Sequence, residues 1–290
     1  MKTTHRLILI LIATAGISSP RSNAAIIAAD PFLTGSNASA GQYVIGDVVG
    51  QSPTLTGFTG AWVAGVNSPN VTGTGLSFSN GSGTVASSGG SLVATTTDQD
   101  RASHVFSSAF TASTSGTFYM SVLLRLSDID SSLYRSFELQ NGGEDDGSRV
   151  LQLGVNSSDF GSTTNFGLRL FNNNAFRLTL GTADTSTHLF VMKFIFGSNS
   201  NEDAMTVWED PTSLTSEAGS GAGQTLNTFD MAFDRFSLAA FITSGTQTIT
   251  ADEIRIGTTW QDATTVPEPN ACAFIVAGVL VVAVWRQRNL

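Results

Sequence analysis

Apolar and polar residues alternate with a period of two through the second half of the chain. Leu151, Leu153 and Val155 alternate with Gln152 and Gly154. Successive side chains of an extended strand point to opposite faces, so this period predicts β-strands with one face in a core. Further strand candidates with similar apolar content are 117–126, 134–140, 166–170, 204–209, 235–242 and 248–257.

The segment 187–197 is apolar on both faces. Its even-numbered positions carry four large apolar residues, and Leu189, Val191 and Ile195 lie between them. A strand with two apolar faces is typical of a central position that is covered on both sides. We therefore predict a long central strand here.

No internal segment shows the 3.6-residue period of a helix, and clusters of Asn, Gly, Ser and Asp separate the strand candidates. Many short strands with such turns predict an all-β fold, a sandwich of two sheets. The segment 25–91 is looser and rich in Gly, Ser and Thr. We interpret it as edge strands and wrapping loops of the same domain, with a flexible arm as the alternative.

The N-terminus has the layout of a secretory signal peptide. Lys2 and Arg6 precede the apolar run 7–13, and small or polar residues follow up to Ala24 and Ala25. A basic start, a short apolar core and a small-residue cleavage site define such a signal. We predict that 1–24 is a signal peptide that directs export through the Sec machinery, leaving 25–265 as the β-sandwich domain.

A second apolar block, 271–285, stands near the C-terminus and is followed by Arg286 and Arg288. We predict a single transmembrane helix whose basic end stops in the cytoplasm, according to the positive-inside rule. Immediately before it, Pro267, Glu268 and Pro269 form a stiff extended stub, because each proline fixes its own φ and restricts the residue before it.

The order of these features over 266–290 resembles the PEP-CTERM sorting signal of Gram-negative, biofilm-forming bacteria. In that family the tripeptide corresponds to Pro267, Glu268 and Pro269, and the basic stop to Arg286 and Arg288. The resemblance implies processing by an exosortase, a membrane-embedded cysteine transpeptidase. It also implies an inner-membrane-anchored precursor and delivery to the cell surface or extracellular matrix.

The charge balance excludes some functions. The chain has 14 basic and 23 acidic residues, a formal net charge of −9. The segment 25–265 alone carries −13, because nine of the basic and 22 of the acidic residues fall within it. Nucleic-acid binding needs a basic face, so we exclude it. Cys272 is the only cysteine of the sequence, which excludes an intramolecular disulfide.

Four short motifs carry a second resemblance. They are Asp-Pro-Phe at 30–32, Gly-Phe-Thr-Gly-Ala-Trp at 57–62, Val-Trp-Glu-Asp-Pro at 207–211 and Asp-Glu-Ile-Arg-Ile-Gly-Thr-Thr-Trp at 252–260. Their order and spacing resemble PEP-CTERM surface proteins with a concanavalin A-like (laminin G-like) body. The resemblance implies a jelly-roll sandwich that binds carbohydrate, serves adhesion or, in some branches, hydrolyses glycosides.

The residues themselves argue against an enzyme. A glycosidase of this fold needs two carboxylates on one strand face, and no strand candidate has the Glu-x-Asp-x-Glu pattern. His104 and His188 each stand at a strand start, and we predict no nearby partner for either. We predict no catalytic residue and a non-enzymatic surface or matrix protein whose sandwich binds polysaccharide or surface partners, with a secreted glycan-active hydrolase as the alternative. The carboxylates considered are Glu138, Glu144, Asp145, Asp146, Glu202, Asp203, Glu209, Asp210, Asp252 and Glu253.

The turn 141–147 is the candidate for a metal site. Asn141, Glu144, Asp145 and Asp146 offer oxygen ligands, which calcium prefers, but the turn lacks the 12-residue calcium-loop pattern. A solvated surface turn is the default interpretation and a structural calcium ion the alternative. No other cofactor is predicted.

Overall fold

A computed structural model describes residues 25–265, except 88, 96–99, 112, 115, 130–133, 156–163, 172–175, 200 and 242–245. The predicted signal peptide and the predicted sorting segment, with Pro267, Glu268, Pro269, Arg286 and Arg288, therefore lie outside the described residues. Among those described, no helix has the length and apolar character needed to cross a membrane.

The described part of the chain is almost entirely β-structure. Its strands are β1 (Ile26–Asp30), β2 (Gly46–Asp47), β3 (Phe58–Ala64), β4 (Asn70–Thr72), β5 (Ser77–Asn80), β6 (Gly83–Ala86), β7 (Ser91–Thr95), β8 (Arg101–Phe110), β9 (Gly116–Leu126), β10 (Tyr134–Gln140), β11 (Arg149–Val155), β12 (Asn165–Leu170), β13 (Arg177–Thr182), β14 (Thr187–Phe196), β15 (Asp203–Glu209), β16 (Gln224–Phe229), β17 (Phe233–Phe241) and β18 (Thr248–Gly257). Three single 3-10 turns and one short helix, α1 (Trp260–Thr264), complete the described elements.

The strands form two large antiparallel sheets and one hairpin. The nine-stranded sheet has the order β16-β15-β14-β9-β18-β7-β4-β2, and β1 pairs with the C-terminal half of β18. The seven-stranded sheet has the order β13-β12-β11-β10-β17-β8-β3, and β5 pairs with β6. The all-β, two-sheet prediction is confirmed.

The two sheets enclose one apolar core. Phe190, Met192 and Phe194 point into it from β14, and Phe137 and Leu139 point into it from β10. Because each strand alternates faces, the residues between them point away from the core. Burying apolar surface between two sheets is the main stabilising contribution to such a sandwich.

The outer face of the nine-stranded sheet has a smaller apolar cluster of its own. Leu189 and Val191 of β14 pack there with Trp208 and Trp260, whose rings meet edge to face at 5.1 Å. The β5–β6 hairpin and α1 contribute to the same cluster. The prediction that β14 is covered on both faces is therefore confirmed.

The strands that the alternation pattern predicts agree closely with the structure, but the pattern does not predict β7, β8, β13 or β16. The predicted strands 134–140 and 248–257 match β10 and β18, and the other predicted bounds differ by one or two residues. Strands β1 to β4 join the two large sheets, so the loose segment 25–91 supplies edge strands rather than a flexible arm. The apolar pattern does not predict the short helix α1, because a capping box between Thr259 and Asp262 starts this helix and no apolar period marks it.

Candidate functional site

A groove of about 450 Å³ lies at one open edge of the sandwich. Strand β13 ends the seven-stranded sheet there and β16 ends the nine-stranded sheet. The Nε2 atom of Gln224 donates to the Thr179 carbonyl at 3.0 Å and so links the two edges. The residues that line the groove are Leu180, Gly181, Thr182, His188, Val207, Trp208, Glu209, Asp210, Thr212, Ser220, Gly221, Ala222 and Gln224.

The β14–β15 hairpin brings an imidazole and two carboxylates together in this groove. Phe190 stands opposite Glu209 in the register, which places His188 beside the end of β15. The Nδ1 atom of His188 lies 2.8 Å from Oδ2 of Asp210 and 3.4 Å from Oε1 of Glu209. The Nε2 atom of His188 lies 3.1 Å from Oδ1 of Asp184. We call these four residues the His188 cluster.

Backbone amides fix the carboxylates of the His188 cluster. The Gly181 amide donates to Oε2 of Glu209 at 2.5 Å, and the Leu189 amide donates to Oδ1 of Asp210 at 2.9 Å. A Cβ atom on Gly181 would stand 2.7 Å from Oε2 of Glu209, so a larger residue there would displace the Glu209 carboxylate. Asp210 adopts the left-handed conformation (φ 48°), which Asp tolerates better than most residues.

The charges of the cluster shift its protonation equilibria. Burial by itself lowers the pKa of His188, but hydrogen bonds to Asp210 and Asp184 raise it to about 9. Burial raises the pKa of Glu209. The Gly181 amide and His188 act in the opposite direction, but the effect of burial is larger. At neutral pH His188 therefore carries a proton on each ring nitrogen and acts as the cation among three carboxyl groups.

A second polar region lies on the outer face of the seven-stranded sheet. Ser136, Glu138 and Gln140 alternate along β10 and are fully buried. The Glu138 carboxylate accepts hydrogen bonds from Ser136 Oγ at 3.1 Å, from Gln140 Nε2 at 3.0 Å and from the Tyr134 hydroxyl. Burial raises the pKa of Glu138, although Arg101, 3.6 Å away, lowers it. We call this region the Glu138 face.

The Glu138 face is not fully satisfied. Both amide atoms of Gln152, which is fully buried on the neighbouring strand β11, find no hydrogen-bond partner in the described part of the chain. The same holds for the hydroxyl groups of Ser103 and Ser237. Unpaired buried polar groups destabilise a fold, so these side chains lower the stability of the sandwich.

The acidic residues of the turn 141–147 have partners of their own. Glu144 contacts Arg235, Asp146 contacts Arg101, and Asp145 accepts a hydrogen bond from the Ser148 amide at 2.9 Å. In the described residues, the group of three or more metal-ligating side chains with donor atoms close together is His188, Glu209 and Asp210. A calcium ion at Asn141 and its neighbours stays a prediction.

The remaining carboxylates considered from the sequence serve local structure. Asp203 accepts from the Gly197 and Met231 amides, and Asp252 accepts from the Leu76 amide at 2.7 Å. Glu253 pairs with Arg255 at 2.7 Å. Glu202 is exposed and contacts Asn199. They are not brought together with Glu209.

The interpretation that the two histidines have no partners is wrong for His188. Asp184 is a local neighbour, four residues before His188. Glu209 and Asp210 lie 21 and 22 residues away, so only the hairpin register could reveal these two partners. His104 is fully buried inside β8, with its ring stacked 4.8 Å from Phe58 and 5.1 Å from Trp62. It is a core residue.

Comparisons with known proteins add little. No protein-family model matches the chain, and no curated protein matches it in sequence. The receptor-binding domain of botulinum neurotoxin D is similar in structure, with 11% identity and a TM-score of 0.42 over 74% of this chain and 48% of that chain. A carbohydrate esterase from the Shiga toxin-encoding bacteriophage phi24B has 12% identity and a TM-score of 0.41 over 73% of this chain and 98% of that one.

The chain spans about half the length of the neurotoxin structures that it matches. At such identities and TM-scores the similarity assigns no role to any residue of this chain.

Proposed function

We propose that the protein is an exported, non-enzymatic surface or matrix protein whose jelly-roll sandwich binds polysaccharide in the groove of the His188 cluster. One observation carries the binding role. The groove is open and lies at the edge of two rigid sheets, and its volume of about 450 Å³ falls within the range of small-molecule sites, about 300–1,000 Å³.

The chemistry of the lining favours a sugar. Glu209, Asp210, Gln224, Thr182 and Thr212 bring carboxylate, amide and hydroxyl groups to one groove. Such groups can exchange hydrogen bonds with the hydroxyl groups of a sugar ring, which both donate and accept. Because backbone amides hold Glu209 and Asp210 in place, little conformational entropy would be lost on binding.

Charge narrows the class of polysaccharide. The segment 25–265 has a net charge of −13, and two carboxyl groups line the groove itself. An anionic chain, such as a polymer of uronic acids, would be repelled. We therefore propose that the groove takes a neutral polysaccharide or one that carries amino sugars with free amines.

The ends of the sequence support the cellular role. The sequence has the features of an exosortase substrate in the expected order. It begins with a basic and then apolar segment, and it ends with the Pro267-Glu268-Pro269 stub, the apolar block 271–285 and the basic pair Arg286 and Arg288. We propose Sec-dependent export, a membrane-anchored precursor and exosortase-dependent transfer to the surface or matrix.

One observation favours a second candidate function, glycan hydrolysis. Glu209 has a raised pKa and faces Asp210 in the same groove. A carboxyl group with a raised pKa beside a second carboxyl group is the pairing that acid–base cleavage of a glycoside requires. The hydrogen bond between His188 and Asp210, and the backbone amides that hold Glu209 and Asp210, favour binding over turnover.

A glycan array probed with the purified full chain tests the proposal, combined with a reducing-sugar assay on each bound polysaccharide. We expect retention of neutral or amino-sugar polymers, weak retention of uronic-acid polymers and no release of reducing ends. Release of reducing ends would support the hydrolase instead. If no polysaccharide of any charge class is retained, the binding role is wrong.

A further inference from the structure

Three potential ligand atoms in the groove face one another. The Nδ1 atom of His188, a carboxylate oxygen of Glu209 and a carboxylate oxygen of Asp210 all lie within 4.8 Å of one another. His188 is buried, whereas Glu209 and Asp210 are only partly buried and line the open groove. A small ion could therefore reach all three atoms while still facing water.

Each of these side chains is fixed through its other polar atom. Oε2 of Glu209 is held by the Gly181 amide and Oδ1 of Asp210 by the Leu189 amide. The Nε2 atom of His188 is held by Asp184, which leaves Nδ1 facing the two carboxylates. A histidine that binds a metal through one ring nitrogen usually donates a hydrogen bond to a carboxylate through the other nitrogen. This carboxylate orients the imidazole, and Asp184 has that position here.

The cluster does not satisfy itself through hydrogen bonds alone. Nδ1 of His188 carries one hydrogen at most, and Asp210, at 2.8 Å, is the nearer acceptor. Oε1 of Glu209 stands 3.4 Å from the same nitrogen, which has no second hydrogen to give. A divalent cation that displaces the Nδ1 proton of His188 to the solvent can bind both carboxylates and the imidazole at once, whereas a single proton cannot.

We propose that a first-row divalent cation, with zinc as the representative ion, binds to Nδ1 of His188 and to the carboxylates of Glu209 and Asp210. Imidazole together with carboxylates suits zinc and its neighbours, whereas calcium prefers six to eight oxygen ligands. Three protein ligands leave coordination positions open toward the groove for water or for a hydroxyl group of a bound sugar. The proposal uses the same groove as the polysaccharide but does not depend on sugar binding.

The test is a calorimetric titration of the tag-free full chain, stripped with a chelator, with Zn²⁺. Absorption spectra with Co²⁺ report the ligands. We expect one ion per chain with a Kd tighter than about 10 μM. His188→Gln and Glu209→Gln should each abolish Zn²⁺ binding. Both variants should also lose the Co²⁺ absorption bands of the wild type. Glu202→Gln, at an exposed carboxylate outside the groove, is the matched control and should bind as the wild type does.

Asp184→Asn separates ligation from folding, because it leaves all three ligands in place. We expect it to weaken Zn²⁺ binding by about 10- to 100-fold without changing the stoichiometry. Absence of binding by the wild type at millimolar Zn²⁺ would overturn the proposal, as would binding that survives both ligand variants. Polysaccharide binding measured with the chelator present is a separate readout, so failure of the metal site leaves the proposed function standing.

Discussion

The Nδ1 atom of His188 lies 2.8 Å from Oδ2 of Asp210, although 22 residues separate them along the chain. The contact depends on the register of the β14–β15 hairpin, in which Phe190 stands opposite Glu209, and on the left-handed turn at Asp210. A shift of one residue would send Glu209 to the other face of the sheet. The groove is therefore a consequence of strand register.

Two glycines with nearly equal backbone angles give a test of the packing between β1 and β3. Gly57 (φ 76°) and Gly60 (φ 75°) both adopt the left-handed conformation. A Cβ atom at Gly57 would meet the Ile27 carbonyl oxygen at 2.0 Å, whereas one at Gly60 would meet nothing within 4 Å. Gly60→Ala should lower the free energy of unfolding by about 1–2 kcal/mol, the cost of the conformation alone.

Gly57→Ala should cost about 1–3 kcal/mol more, because the backbone has to move. Urea unfolding followed by tryptophan fluorescence measures both variants. Equal losses of stability would show that the close approach of Gly57 to β1 is wrong.

Two glutamines of the Glu138 face should respond with opposite signs to the same substitution. Neither amide atom of Gln152 has a described partner, so Gln152→Met should raise the free energy of unfolding by about 1–3 kcal/mol. Gln140 donates to the Glu138 carboxylate at 3.0 Å, although its Oε1 has no described partner, so Gln140→Met should lower the free energy of unfolding by a smaller amount. Thermal melting of the pair checks both signs, and destabilisation by Gln152→Met would indicate a partner for that side chain.

Stability should depend on the protonation of Asp252. Burial raises the pKa of Asp252 to about 7, against an ordinary value of 3.8. Between these values the unfolded chain loses this proton and the folded chain keeps it, so the contribution of Asp252 to stability falls as the pH rises from about 4 to 7.

Asp252→Asn mimics the protonated carboxyl. Its stability relative to the wild type should therefore increase from pH 4 to 7, by at most about 1.4 kcal/mol per pH unit, and stay level above pH 7. Denaturant unfolding at a series of pH values measures this difference. Asp47→Asn, at an exposed carboxylate, serves as the control, and a flat profile for Asp252→Asn would contradict the prediction.

The sorting proposal makes its own prediction. Glu268→Ala should leave export unaffected but block processing, because Glu268 is the charge that a membrane-face enzyme can recognise between two stiff prolines. Precursor should then accumulate in the membrane fraction, as seen by intact mass and immunoblotting. Glu202→Ala, the same substitution at an exposed carboxylate of the sandwich, is the matched control. If Glu268→Ala were processed at the wild-type rate, the sorting proposal would be wrong, and the C-terminal segment would be interpreted as a plain membrane anchor.

The sequence predicts the fold class and most of the long strands, but not β7, β8, β13 or β16 and not the site. Alternation located β10, β14 and β18 because burial of one face or both demands it. The pairing of β15 with β14 creates the His188 cluster by bringing together residues that are about 20 positions apart in the sequence. The only sign of this in the sequence is the pair of adjacent acidic residues, Glu209 and Asp210.

The polar residues of the Glu138 face form a period of two in the sequence. Ser136, Glu138 and Gln140 alternate with the apolar Phe137 and Leu139, which fits a strand with one wet face. The structure instead buries that polar row. Burial of polar groups is decided by what packs over a sheet, and a period of two along one strand does not report it.

The most direct test of polysaccharide binding in the groove is a titration of the array-selected polysaccharide into a variant with a blocked groove. Ala222 is exposed and lines the groove, so Ala222→Trp should fill it without disturbing the core. Asn227→Trp, exposed on the same strand region but outside the lining, is the matched control. We expect Ala222→Trp to weaken binding by at least about 10-fold, or about 1.4 kcal/mol, with Asn227→Trp unchanged. Equal affinity of the wild type and Ala222→Trp would contradict the account.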